Sequence, residues 1–182
     1  DKWHEMIIEQ REQHNWPAVN IEFGYEWGAG GEKDYTYQVV QSAEEVSRRA
    51  WLIAMAGGYP AYYYTYTAWD VILPEHRPPG YRYWKILHDF MTSLRWWELD
   101  PSPARPLHSK GPALYGPDGE MLFYLPAGGS VRLDRSLGSG GWKGVALSTL
   151  SGERRPFGPR DLVPSRYEAG VPLAVNPFAD AP

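Results

Sequence analysis

The chain has 182 residues, with 18 basic and 22 acidic side chains and a formal charge of -4. That length holds one ordinary domain or two small ones with a real core, and an aromatic share of 15% with 9 Trp and 13 Tyr excludes a disordered chain. No apolar run approaches the roughly 20 residues that a membrane-spanning helix needs, and a mildly acidic chain lacks the dense Lys/Arg surface that nucleic acid demands.

The absence of cysteine excludes disulfides, thiolate catalysis and Cys-based metal sites, and leaves the compartment open. The sequence starts at Asp1 with neither an initiator Met nor a charged-then-apolar leader. The expectation is therefore a mature or truncated chain without its targeting segment.

The first half alternates helix and strand. Asp1 to His14 sets Trp3, Met6, Ile7 and Gln10 on one helical face, and Asn15-Trp16-Pro17 stops it. Ala18 to Phe23 is short and rich in Val, Ile and Phe, which predicts a buried strand. Gly24 to Gln41, with Gly28, Gly30 and Gly31, reads as a long loop. Ser42 then caps a helix with Glu45 as its capping-box partner. Val46, Ala50, Ile53 and Ala54 form the apolar side of that helix, and Gly57-Gly58 ends it.

Pro60 to Thr67 is dominated by β-formers and predicts a second strand, with Tyr62, Tyr64 and Tyr66 on one face. Ala68-Trp69-Asp70 opens a Pro-rich loop to Gly80. Tyr83, Ile86, Leu87, Phe90, Met91 and Leu94 then recur at helical spacing. Such alternation favours parallel strands with crossover helices, and long loops after the strand ends are the pattern of a (β/α) barrel. Two strands cannot close a barrel, so residues 1–104 read as a fragment of one.

A Pro-rich linker, Asp100 to Pro106, precedes a change of character. Short strands fit Ala113 to Tyr115, Met121 to Leu125, Val131 to Leu133, Val145 to Thr149 and Val171 to Val175. Turns at Pro117-Asp118-Gly119, Gly128-Gly129, Gly138 to Gly141 and Ser151-Gly152-Glu153 separate them. Residues 105–182 thus predict a small antiparallel β-sandwich. The fold class is α/β plus all-β.

Glu22 follows a strand and precedes a loop, among Tyr25, Trp27 and further aromatics. A carboxylate so placed suits a glycosidase nucleophile, because aromatic faces stack on sugar rings and apolar surroundings tune carboxylate pKa values. The plainer alternatives are an ion-paired strand-end residue at Glu22 and a solvated loop charge at Glu26. Trp69 and Asp70 end the second strand on the same face. Trp69 reads either as a sugar-pocket floor or as packing over the barrel mouth, and Asp70 equally as a cap. Of the tyrosines only Tyr66 reaches such a site; the others face the core or a helix.

His4, His14, His76, His88 and His108 show no metal-ligand spacing. Gly28-Ala-Gly-Gly lacks the Lys-Ser/Thr of a phosphate loop, and no Gly-x-Ser-x-Gly elbow occurs. Neither metal nor organic cofactor is expected.

Pro17-Ala-Val-Asn-Ile-Glu22-Phe-Gly-Tyr25-Glu26, the capped helix with Arg48-Arg49-Ala50-Trp51 and Gly57-Gly58, and Tyr64-Thr-Tyr-Thr-Ala-Trp69 resemble the apiosidase-like glycoside hydrolases. These are often labelled a domain of unknown function. The resemblance implies a (β/α)8 barrel followed by a β-sandwich named for collagen binding. It places Glu22 at the end of the seventh strand as the nucleophile of a retaining enzyme, and Trp69 after the eighth. The acid/base carboxylate of the fourth strand has no counterpart here, and the sandwich's Asp-Pro-x-x-Gly-like turn appears only as Ser148-Thr-Leu-Ser-Gly152.

The expectation is a fragment of a retaining glycosidase acting on a plant- or microbe-derived polysaccharide, inactive in isolation. Glu22 is its catalytic residue, and Tyr25, Glu26, Trp27, Tyr66, Trp69 and Asp70 contact the substrate. The partners expected are a carbohydrate and the missing N-terminal part of the barrel, as a separate chain or segment. A polysaccharide target favours secretion or the periplasm. The alternative is a non-catalytic carbohydrate-binding or interaction module on the same fold.

Overall fold

A computed structural model describes residues 2–26, 40–62, 78–101, 111–128, 130–132, 142–158, 162–164 and 172–175. Helix α1, Lys2–His14, carries Glu5 in its first turn and Arg11 and His14 in its last, charges that complement the helix dipole. Its inward face holds Ile7 and, half-buried, Trp3 and Ile8, whereas Met6 and Gln10 of the expected apolar face point outward. Asn15 ends the helix in the left-handed region, where Asn is tolerated better than most side chains.

Strand β1, Val19–Asn20, and β4, Tyr59–Pro60, pair in parallel with Val19 opposite Tyr59. Between them in sequence lie β2, Tyr25–Glu26, its parallel partner β3, Val40–Gln41, and helix α2, Ala43–Ala54. The parallel order expected of the first half is therefore present. The strands are shorter than expected. Within Ala18 to Phe23, the Asn20 side chain accepts the Glu22 N–H at 3.1 Å, which bends the backbone just after Asn20. Beyond Tyr62, the predicted Pro60 to Thr67 strand lies outside the described residues.

Ser42 caps α2 as expected, its Oγ accepting the Glu45 N–H at 3.2 Å. The Glu45 carboxylate does not complete a capping box; it accepts from Arg48 Nε at 2.7 Å and Arg49 Nε at 2.8 Å. Two guanidinium groups one turn along outcompete a single backbone N–H. At the far end Gly57, at φ 74°, donates to Ala54 O at 2.9 Å, and Gly58 donates to Ile53 O at 3.0 Å. This paired closure needs the left-handed residue that glycine supplies.

Helix α2 is buried on more than the expected side, with Ala43, Ser47, Trp51 and Leu52 enclosed alongside Val46, Ala50, Ile53 and Ala54. It packs on α1, on β4 and on α3, Tyr81–Thr92. Tyr83 and Leu87 of α3 are buried, and Ile86, Phe90, Met91 and Leu94 lie against the core as their spacing predicted. A 3₁₀ turn, Trp96–Glu98, follows.

Among the described residues, the strands that follow pair antiparallel. Strands β5, Ala113–Tyr115, and β6, Met121–Phe123, form a hairpin, as do β8, Gly144–Leu147, and β9, Arg154–Phe157. Strand β11, Pro172–Val175, lies between β10, Leu162–Pro164, and β7, Ser130–Arg132. Strands β9 and β10 escaped the sequence reading because prolines and arginines obscure their alternation. Leu114 and Tyr124 join the same core as α2, and Trp51 stacks on Tyr124 with ring centres 5.7 Å apart. Asp100 and Tyr115 exchange backbone hydrogen bonds of 2.8 and 2.9 Å, so the expected linker begins pinned to β5.

Candidate active site

Glu22 stands just past the end of β1, and local chemistry holds it there. Asn20 takes its N–H, and the next residue, Phe23, is 1% exposed and meets Trp3 edge-on at 6.5 Å. Arg49 of α2 donates to the Phe23 carbonyl at 2.9 Å. The backbone on both sides of Glu22 is thus fixed while its side chain stays exposed. The Tyr25 hydroxyl donates to Glu22 Oε1, which orients that carboxylate and leaves the second oxygen outward. A carboxylate positioned this way can act as a nucleophile on an electrophilic carbon.

Glu26 is a different group. It is 1% exposed, and its two oxygens accept from the Tyr62 hydroxyl at 2.5 Å and from the Gly80 N–H at 2.6 Å. Burial pushes its pKa up, with a smaller push from Glu44, while the two hydrogen bonds pull it down. The carboxyl sits at the N-terminus of α3, where helix N–H groups favour an acidic partner. Tyr62, held against Tyr81 and Trp84, faces helix α3 as expected of most of these tyrosines. A Cβ on Gly80 would stand 1.8 Å from Glu26 Oε2, so only glycine admits the approach.

Of the expected site residues, the structure brings Glu22 and Tyr25 into contact and encloses Glu26 among Tyr62 and Gly80. Trp27, Tyr66, Trp69 and Asp70 lie outside the described residues. Asn20, Tyr62 and Gly80 escaped the sequence reading. An Asn two residues before a bend is a recognisable turn signal, whereas the pairing of Glu26 with residues 36 and 54 positions away leaves no local trace.

A groove of about 570 Å³ runs beside Glu22, walled by α1 and β1 and lined by Met6, His14, Trp16, Val19 and Ile21 among others. Among the described residues no group of three or more His, Asp or Glu could hold a metal ion, and no helix is long and apolar enough to cross a membrane.

No family model and no curated protein matches the sequence. A solved structure does: a glycoside hydrolase family 5 protein from Bacteroides vulgatus ATCC 8482, at 19% identity and a TM-score of 0.60. The match covers 87% of this chain and 39% of the other. The chain therefore shares its fold with part of a glycoside hydrolase and spans well under half of that protein's length. At 87% of 182 residues, about 158, the likeness runs beyond residues 1–104 into the antiparallel sheets. The apiosidase-like assignment and the collagen-binding module find no support in these matches.

Proposed function

We propose that the chain is part of a retaining glycoside hydrolase of a plant- or microbe-derived polysaccharide, with Glu22 as nucleophile. The observation that carries this reading is the exposed Glu22 carboxylate, oriented by Tyr25 at the end of a parallel strand. The fold shared with a glycoside hydrolase supports it. In this reading residues 1–104 belong to a (β/α)8 barrel and residues 105–182 form an accessory β-sandwich. Trp27, Tyr66, Trp69 and Asp70 bind the sugar.

Glu22 attacks the anomeric carbon as the bond to the leaving oxygen breaks, giving a glycosyl ester. Water then displaces Glu22 and restores the original configuration. Tyr25 steadies the carboxylate before attack. A second carboxyl, about 5–5.5 Å away, must give a proton to the leaving oxygen and take one from the water. Glu26 does not qualify, since a general acid must reach the leaving group and Glu26 is enclosed by Tyr62 and α3. In this reading the fourth-strand carboxyl that the family resemblance implies supplies the acid/base, and the chain alone does not turn over.

A 2-deoxy-2-fluoro glycoside with an activated leaving group needs no general acid for the first step, and its fluorine slows release. Incubation with a panel of such sugars should add one sugar mass to the peptide holding Glu22, and none in Glu22→Gln. An adduct that persists in Glu22→Gln, or no adduct on Glu22 with any sugar, overturns the assignment.

A further inference from the structure

Tyr25 and Glu26 are neighbours in β2, and their side chains go to opposite sides of it, Tyr25 onto Glu22 and Glu26 into the interior. A roll of the backbone that moves one moves the other. Just before them Gly24 has φ 146°, a conformation open to glycine and to few other residues. Gly24 is thus a joint between Tyr25 and Phe23, whose carbonyl is held by Arg49 of α2.

Beyond that joint, β3 holds the backbone edge of β2 and Glu26 holds its inner face. One Glu26 oxygen accepts from Gly80 at the start of α3 and the other from Tyr62, just after β4. Both anchors are themselves fixed. Tyr62 lies against Trp84 with ring centres 5.5 Å apart, and in the first turn of α3 the Tyr83 hydroxyl donates to Glu44 of α2 at 2.9 Å. A buried carboxylate satisfied at both oxygens by such elements is a rigid support for whatever its strand carries.

We propose that Glu26 is a positioning residue, locking the roll of β2 so that the Tyr25 hydroxyl stays on Glu22 Oε1. It acts through Tyr25 and does not touch the sugar. Its catalytic consequence rests on the reading of Glu22 as nucleophile; its hold on the Tyr25–Glu22 contact does not. A carboxylate that served stability alone would leave that contact unchanged when replaced in a folded chain.

The contact can be read without any sugar, from the fluorine resonance of 3-fluorotyrosine placed at Tyr25 in the 182-residue chain. Glu22→Ala removes the acceptor and should shift that resonance, and the size of the shift measures the contact. In a Glu26→Ala background the same change should shift it at least twofold less. Glu26→Gln should keep more than half of the shift, because its amide oxygen can accept from Gly80 and its nitrogen can donate to the Tyr62 oxygen. Leu114→Ala, a core truncation on β5, should keep it in full, which separates positioning from lost stability. If Glu26→Ala does not fold, Tyr62→Phe decides, since it removes one donor at nearly the same shape and should also reduce the shift. Formation of the fluoro-sugar adduct on Glu22 should slow by about tenfold or more in Glu26→Ala. An undiminished shift in Glu26→Ala, or in Tyr62→Phe where that chain does not fold, would overturn the proposal. So would a loss in Leu114→Ala or Glu26→Gln as large as in Glu26→Ala, or an unslowed adduct. A reduced shift in Glu26→Ala together with no sugar adduct on wild-type Glu22 would uphold the hold of Glu26 on Tyr25 and remove the glycosidase reading.

Discussion

Gly80→Ala is the sharpest test of the Glu26 arrangement, because backbone preference and packing oppose each other there. Gly80 has φ -68° and ψ -15°, angles that alanine adopts without strain. Conformational entropy alone would make the substitution stabilising by about 0.4–1 kcal/mol. The new Cβ, however, would stand 1.8 Å from Glu26 Oε2 and 2.7 Å from Cδ. Glu26 is 1% exposed and held by Tyr62, so its carboxyl has little room to withdraw. Overpacking costs about 1–3 kcal/mol, and losing a hydrogen bond to a charged group about 1.5–3 kcal/mol.

Packing therefore wins, with a net loss of roughly 2–5 kcal/mol and a fall in melting temperature of about 5–15 °C. Urea unfolding followed by tryptophan fluorescence at pH 7 measures it. In a Glu26→Ala background the obstruction is gone, and the same substitution should be neutral or stabilising by up to about 1 kcal/mol. If Gly80→Ala is neutral or stabilising in the wild-type background, the close approach of Glu26 to α3 is wrong.

Glu26 and Glu45 should give stability profiles of opposite sign. Glu45, pulled down to about 2 first by Arg48 and then by Arg49, contributes stability that is present above about pH 4.5 and is lost as pH falls toward 2. With its side chain about a third exposed, that contribution is about 1 kcal/mol, and Glu45→Gln should flatten the acid limb of a urea-midpoint curve. Burial raises Glu26, so its contribution is full below pH 4.5 and is lost as pH rises through its folded pKa. Glu26→Gln should remove that decline, and an unchanged slope would contradict the enclosed carboxyl. Leu114→Ala, at a site 1% exposed in the core of α2, should cost about 2–5 kcal/mol. It should lower one cooperative transition; a separate helical transition left unmoved would show that β5 and α2 do not share a core.

The parts of this fold that the sequence disclosed are those written in local spacing. Helix α3 announces itself through Tyr83, Leu87 and Phe90, and the Ser42 cap and Gly57-Gly58 closure bracket α2. The parallel pairing of β1 with β4 followed from the alternation of elements rather than from any strand signal. The true burial of α2 did not, because Trp51 is also covered by Tyr124, which arrives from 73 residues away. Strand β1 ended early because Asn20 turned its side chain onto the backbone, a choice that β-propensity does not encode. Glu22 was legible as a strand-end carboxylate. The enclosure of Glu26, four residues on, was not, since it depends on Tyr62 and Gly80 arriving from distant segments.

The nucleophilic role of Glu22 is tested most directly by Glu22→Gln in the polypeptide that carries the second carboxyl, with turnover and melting temperature read on one preparation. Glutamine keeps the size of the side chain and an oxygen for the Tyr25 hydroxyl, and removes the charge that attacks the sugar. Turnover should fall by about a thousandfold or more while melting moves by no more than the ~1 kcal/mol that an exposed carboxylate contributes. Turnover at a tenth of the wild-type rate or above, with the fold intact, would show that Glu22 is a strand-end residue and not the nucleophile.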